Sequence, residues 1–232
     1  MQIRQFRYGA DNLGYLVFSG SQGLAVDPGA VSGMLDFART RQIVIAGVTN
    51  THGHPDHTSG NAQMLEKTGA AFLNCRELAD GQKIAVGEDF LEVIATPGHT
   101  HDAVCFAADD FLVTGDTLFN GTVGNCFSGD LDAFYRSLKK LMAFPGVTRI
   151  FAGHDYVKES LEIAAAIDPE NPDIEACLEK YRPDLVVSTL ADELRVNPFL
   201  RFNSRRMIQK LESRGFPCDS EKQRFISLMK AF

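Results

Sequence analysis

Residues 51 to 60 read THGHPDHTSG, so His52, His54, Asp56 and His57 fall within six positions of a chain that has six histidines in all. Imidazole nitrogens and carboxylate oxygens are the donors that zinc, iron or manganese accept. If THGH leaves its strand extended, side chains two apart share a side, and His52 converges with His54. Pro55 ends the ladder, and Asp56 and His57 fall where the next helix begins. One loop thereby offers two pairs of donors. A polar turn whose histidines merely cap a helix would not need so many.

The other donors sit in similar places. His99 lies in TPGHT, where Pro97-Gly98 forces a turn after an apolar run. Asp116 lies in VTGDTLF and His154 in IFAGHDY, each at the end of a strand-like segment. Functional side chains collect at such strand ends because loops there are held by a rigid scaffold. His101 is the exception, a candidate outer-sphere or surface residue.

These donors must be positioned by regular elements, and the sequence supplies them. LGYLVFSGSQGLAVDPG reads as two strands around a Gly/Ser turn, stopped at Asp27-Pro28-Gly29. SGMLDFARTR predicts a helix capped by Ser32, and TSGNAQMLEKTG a helix closed by Gly69. IVIAGVTN, AAFLN, DFLEVIAT, AVCFAAD, DFLVTGD and VTRIFAGH read as strands, and LDAFYRSLKKLMAF as an amphipathic helix. Beyond about residue 165 the strand signal stops. Helices are expected near 171–180, 188–195, 203–214 and 219–231, which divides the chain into a mixed α/β domain (1–165) and a small helical one (166–232). Strands occur both adjacent and separated by helices, so mixed sheets with helices outside are expected.

Composition narrows the classes. At 232 residues the chain can bury a substantial core, and 44% hydrophobic with 23% charged residues is ordinary for a globular protein. A formal net charge of -7 argues against nucleic-acid binding. No apolar run approaches the roughly 20 residues of a membrane span, and no signal peptide is expected from MQIRQFRYGADNLGYLVF. Cys75, Cys105, Cys126, Cys177 and Cys218 are odd in number and dispersed, a pattern suited to reduced thiols in a cytoplasm. GTVGN lacks the lysine and Ser/Thr of a phosphate loop and reads as a flexible substrate loop. Arg201, Arg205 and Arg206 read as a solvated helix face.

HxHxDH followed by separated His, Asp and His resembles the metallo-β-lactamase superfamily. The resemblance implies an αββα sandwich with its site at one edge of the two sheets. It also implies two divalent ions per chain, zinc first, with iron or manganese as alternatives. His52, His54 and His99 would bind one ion, Asp56, His57 and His154 the other, and Asp116 would bridge them. Within the superfamily GDTLF, GHDY and STLADELRVNPFLR (188–201) most resemble glyoxalase II, the hydroxyacylglutathione hydrolase. That resemblance implies a thioester hydrolase that splits S-acylglutathione-like substrates with a metal-bridging hydroxide aimed by Asp56. The partner would be a small-molecule thioester, with no protein, nucleic-acid or membrane partner.

There are departures. Gly53 replaces a histidine the family usually carries at a position that is not a ligand. The lysine and tyrosine that hold the glycine carboxylate of glutathione correspond to Asn125 and Phe127. Near the C-terminus Lys222 is kept, but Asp219 stands where the family has an arginine. Tyr156 is retained. An alternative is a persulfide dioxygenase with one iron, whose usual arginine-threonine-aspartate signature is missing here; a lactonase of the same fold is another. A non-catalytic zinc site would be closed and cysteine-rich, unlike seven donors without a cysteine.

Overall fold

The computed structural model describes all residues, 1 to 232. The first sheet is built from β1 (Gln2–Tyr8), β2 (Asn12–Ser19), β3 (Gln22–Val26), β4 (Val44–Thr49) and β5 (Ala71–Leu73), in that spatial order. β1, β2 and β3 are antiparallel neighbours, and β4 and β5 join in parallel. The second sheet comprises β6 (Lys83–Val86), β7 (Asp89–Ala95), β8 (Val104–Ala107), β9 (Phe111–Gly115), β10 (Arg149–Ala152) and β11 (Ser188–Thr189), adjacent in reverse chain order. Its one parallel pair is β9–β10. Both sheets are mixed, as expected.

Period-two alternation explains the layers, because both faces of the central strands are buried. Tyr15, Val17, Leu24 and Val26 point inward from the first sheet and meet Val93, Phe106, Val113 and Phe151 of the second. The other face of the first sheet, with Leu16, Ala25, Ile45 and Val48, is covered by α1 (Val31–Thr40) and α3 (Asn61–Thr68). The other face of the second sheet, with Cys105, Leu112 and Ile150, packs on α4 (Leu131–Leu141) and the C-terminal helices. The architecture is an αββα sandwich with a helical C-terminal region. That region contains α6 (Asp173–Lys180), α7 (Leu190–Val196), α8 (Arg205–Ser213) and α9 (Glu221–Ala231), joined to the sandwich through α5 (Val157–Ile167). No helix is long and apolar enough to cross a membrane.

Local departures from expectation have physical reasons. α1 begins at Val31 with Ala30 as N-cap, not with Ser32 capping, because Val31, Met34 and Ala38 form its buried face and Ser32 is exposed. The helix expected over 58–69 begins only at Asn61. A separate turn, α2 (Pro55–Thr58), precedes it, and Gly60 presses on the Pro28 carbonyl, where a side chain has no room. Gly69 closes α3 in the left-handed conformation, as expected. Arg201 is not solvated: it lies mostly buried, 2.8 Å from Asp168.

Candidate metal centre

The site forms on one edge of the sandwich, where β3, β4, β7, β9 and β10 end and β2 begins. Asn12, at the start of β2, bridges to His154 just beyond β10, and Leu13 N donates to Gly153 O at 2.8 Å. That link between the sheets brings the β1–β2 turn over the histidine loop. The loop itself is anchored by Asp27, fully buried at the end of β3, which accepts from Thr51 N and Thr51 Oγ1, both at 2.8 Å.

All seven candidate ligands converge. His52 Nε2 stands 2.9 Å from His54 Nδ1, which is 3.1 Å from His99 Nε2. His57 Nε2 stands 3.2 Å from His154 Nε2, with Asp56 Oδ2 at 3.5 and 3.3 Å from these two nitrogens. Asp116 lies between the groups, 3.3 Å from His57 and 3.5 Å from both His99 and His154. Its Oδ1 is buried with no hydrogen-bond donor. Gly153 and Gly124 cradle it, since a Cβ at either would collide with Asp116.

The outward hydrogen bonds fix which nitrogen each ring turns inward. A carboxylate only accepts, so His57 Nδ1–H donates to Asp27 Oδ2 at 3.0 Å and His154 Nδ1–H to Asp11 Oδ1 at 2.8 Å. His99 Nδ1–H donates to the Asn125 carbonyl at 2.9 Å. Thr51 Oγ1 gives its proton to Asp27 and accepts from His52 Nδ1–H at 3.2 Å. Four rings therefore present Nε2 to the centre, and His54 presents Nδ1.

This donor set fits a divalent ion. Tetrahedral ligands at about 2.0–2.1 Å from a zinc place their nitrogens roughly 3.3 Å apart, close to the spacings here. Neighbouring ring nitrogens stripped of other partners repel unless a cation lies between them. Asp27, Asp56 and Asp116 add negative charge, and none of the three pairs with a lysine or arginine. Burial takes His52 down to about 4, which leaves it as the neutral, ligating imidazole. Burial opposes charge on His57 too, but Asp27 and Asp116 outweigh it and raise the ring to about 11. Asp116 is held well below the usual carboxylate range by His154 and His57 despite its burial. The cluster is built for positive charge.

The expected substrate residues are dispersed. Tyr156 stacks on His154 with ring centroids 4.9 Å apart and planes within 5°. Phe127 is exposed and stands edge-on to His54 and His99 at 5.8 and 5.2 Å. Asn125 turns its carbonyl to His99 and its side chain to solvent. Lys222 does not reach the cluster, and its ammonium lies 2.8 Å from Asp132 at the start of α4. His101 is exposed. GTVGN, expected to be flexible, is instead largely buried and bridged, with Leu118 paired to Val123. A side chain at Gly53 would meet Asp102 and Arg76, an ion pair at 2.9 Å. Asp11, Asn12 and Asp27 were not singled out as site residues from the sequence. Their only signal there was placement at a strand's start or end.

An αββα sandwich with this cluster at its edge defines a metal-binding protein of the metallo-β-lactamase fold. The metallo-beta-lactamase superfamily profile matches residues 12–80 and 73–154, and that of the hydroxyacylglutathione hydrolase C-terminus matches 155–230. Curated hydroxyacylglutathione hydrolases are similar over most of their length. That of Pseudoalteromonas translucida is 32% identical over 87% of this chain and 85% of its own. That of Thiobacillus denitrificans is 36% identical over 85% and 84%. Among solved structures, ETHE1 from Myxococcus xanthus superposes with a TM-score of 0.73 at 24% identity, over 99% of this chain and 90% of that one. The chain belongs to the hydroxyacylglutathione hydrolase (glyoxalase II) family of the metallo-β-lactamase superfamily.

Proposed function

We propose that the chain hydrolyses thioesters of the S-acylglutathione type with two divalent ions per chain, zinc first among them. His52, His54 and His99 hold one ion, Asp56, His57 and His154 the other, and Asp116 serves both. Residues 1–165 carry the chemistry, and 166–232 with the Asn125–Phe127 loop meet the thiol. The observation that carries this reading is the seven-donor cluster itself, with two triads of ring and carboxylate donors sharing Asp116. Such a pair of ions supplies Lewis acidity and a nucleophilic water near neutral pH.

The chain's own residues do the rest. Asp56 Oδ2 accepts from Asn12 Nδ2 at 2.9 Å, which leaves its other oxygen free to take a proton from the attacking water and aim it. Half of the Asp56 side chain is exposed, so it faces the arriving substrate. The stacked Tyr156 and the Phe127 ring wall the approach. A thiolate with a pKa of about 8.5 leaves without an obligatory acid, so no protonating residue is required beside it. The five free cysteines suit a reducing cytoplasm.

The thiol carrier is less firmly held than in the family pattern. Asn125 and Phe127 offer no cation or hydroxyl to the glycine carboxylate, and Lys222 is engaged by Asp132. We infer turnover of glutathione thioesters at high KM. Elemental analysis paired with a thioester panel (glutathione, coenzyme A, other small thiols) tests the reading. Two ions per chain and metal-dependent release of free thiol are expected. One ion at saturation, unchanged in His57→Ala and His154→Ala, would overturn the dinuclear assignment.

A further inference from the structure

The loop from Thr117 to Phe127 lines the metal centre on its inner side and meets the helical C-terminal region on its outer side. Its inner contacts are specific. Phe119 lies edge-on to His154 and Tyr156, with centroids 6.0 and 5.2 Å away. The Asn125 carbonyl accepts from His99 Nδ1. Its outer contacts converge on one acid, Glu193 in α7, which is 1% exposed. Glu193 Oε2 accepts from Gly121 N at 2.8 Å and from Asn197 Nδ2 at 3.2 Å, and Oε1 accepts from Ser188 Oγ at 2.7 Å. The same Asn197 Nδ2 donates to Thr122 O at 2.9 Å, and Asn120 Nδ2 donates to Ser188 Oγ at 2.7 Å. Three consecutive loop residues, 120 to 122, are thus tied to one small network.

Glu193 has no cation beside it. Burial pushes its carboxyl up to about 7, against the pull of the Ser188, Gly121 and Asn197 donors. A buried carboxyl without an ion partner is a costly way to fill space, since a hydrocarbon there would need no partners at all. What it does provide is two acceptor oxygens pointed at the loop backbone and its braces.

We propose that Glu193 is a positioning residue: it holds the Asn120–Asn125 loop so that the Asn125 carbonyl fixes the ring orientation and tautomer of His99. The helical region thereby sets metal affinity at the His52/His54/His99 cluster, in addition to meeting the substrate. The chain of contacts is continuous, from α7 through Gly121 and Thr122 to Asn125 and then to His99. Partners of a ligating histidine set how firmly its metal is held, and their loss typically weakens binding 10–100-fold. The inference rests on His99 being a metal ligand.

Competition of the full chain with a chromophoric chelator for zinc(II) tests both statements separately. His99→Ala should abolish one binding step and so mark it; if it abolishes none, the ligand assignment fails instead. Glu193→Ala should weaken that same step by about tenfold and leave the other unchanged. Glu193→Gln keeps the shape and an acceptor for Gly121 N, and should restore wild-type affinity. Ser188→Ala removes two hydrogen bonds, the one given to Glu193 Oε1 and the one accepted from Asn120 Nδ2, and leaves Glu193 in place. It should weaken the marked step by about threefold, which keeps the test decisive if Glu193→Ala does not fold. A folded Glu193→Ala or Ser188→Ala with both steps unchanged would overturn the proposal. So would equal weakening of the two steps, the sign of a merely structural role, or a Gln variant as impaired as the Ala one.

Discussion

The metal cluster and the surface proposed to meet the thiol differ in how completely they are supported. At the cluster, four of five imidazoles are braced through Nδ1 by Asp27, Asp11, Thr51 or the Asn125 carbonyl, and Asp116 sits in a cradle of two glycines. Outside it, Phe127 is two-thirds exposed, the Asn125 side chain faces water, and Lys222 pairs with Asp132. The rings of the cluster are fixed by hydrogen bonds, whereas the side chains of Asn125 and Phe127 make none. On the proposed function, the difference makes the hydrolytic chemistry and the recognition of the thiol separable. Substitutions can alter the outer region without disturbing the ligands, because no cluster hydrogen bond passes through a side chain of that region.

The largest expected effect lies inside the cluster. Asp56→Asn keeps the shape and one acceptor but removes the charge that orients water and helps hold the second ion. Its kcat on the best thioester should fall by roughly a hundredfold or more while the ion at His52, His54 and His99 remains. Steady-state kinetics alongside metal analysis measure both, and a kcat within about threefold of wild type would remove Asp56 from its role.

A smaller effect is expected one layer out. Asp11→Ala frees His154 Nδ1 and should lower affinity for the second ion by about 10–100-fold without touching the first. Metal content after dialysis against graded chelator reads this. Equal loss at both sites would mean that the β1–β2 turn braces the whole edge and not one ligand.

The mildest effect belongs to the outer region. Asn125→Lys adds a cation where the resemblance to glyoxalase II implies one, and should lower KM for S-lactoylglutathione by about tenfold, the worth of one charge-assisted hydrogen bond. Its kcat should stay nearly constant, because binding gained equally in ground and transition states does not change turnover. A change confined to kcat would show that the loop's surface is coupled to the ligands after all.

The five histidines of the cluster stood out because the chain has only six, and Asp56 and Asp116 because each falls at a turn after an apolar run. Mixed sheets with helices outside were legible from the order of strands and helices, and the αββα sandwich from the resemblance to the metallo-β-lactamase superfamily. Residues that act through distant pairing were not. Asp11 and His154 are 143 positions apart, and only the Asn12–His154 bridge between the sheets brings them together. Asp27 looked like the end of a strand because its partner His57 lies beyond a helix and another strand. β1 escaped notice because QIRQFRY is an edge strand with charged residues facing solvent, and β6 because KIAV is short. GTVGN suggested mobility because glycine permits it, whereas close packing on Ser160 and Leu161 of α5 and the link from Gly121 to Glu193 remove that freedom.

The contrast between a complete cluster and a poorly equipped thiol surface is tested most directly by removing the glycine from the substrate. The measurement is kcat/KM for S-lactoylglutathione against the same thioester of γ-glutamylcysteine. The account predicts values within about threefold of each other, since no strong contact to the glycine carboxylate is available to lose. A drop of tenfold or more on truncation, with a low KM for the intact tripeptide, would contradict it and show that the glycine carboxylate is firmly held.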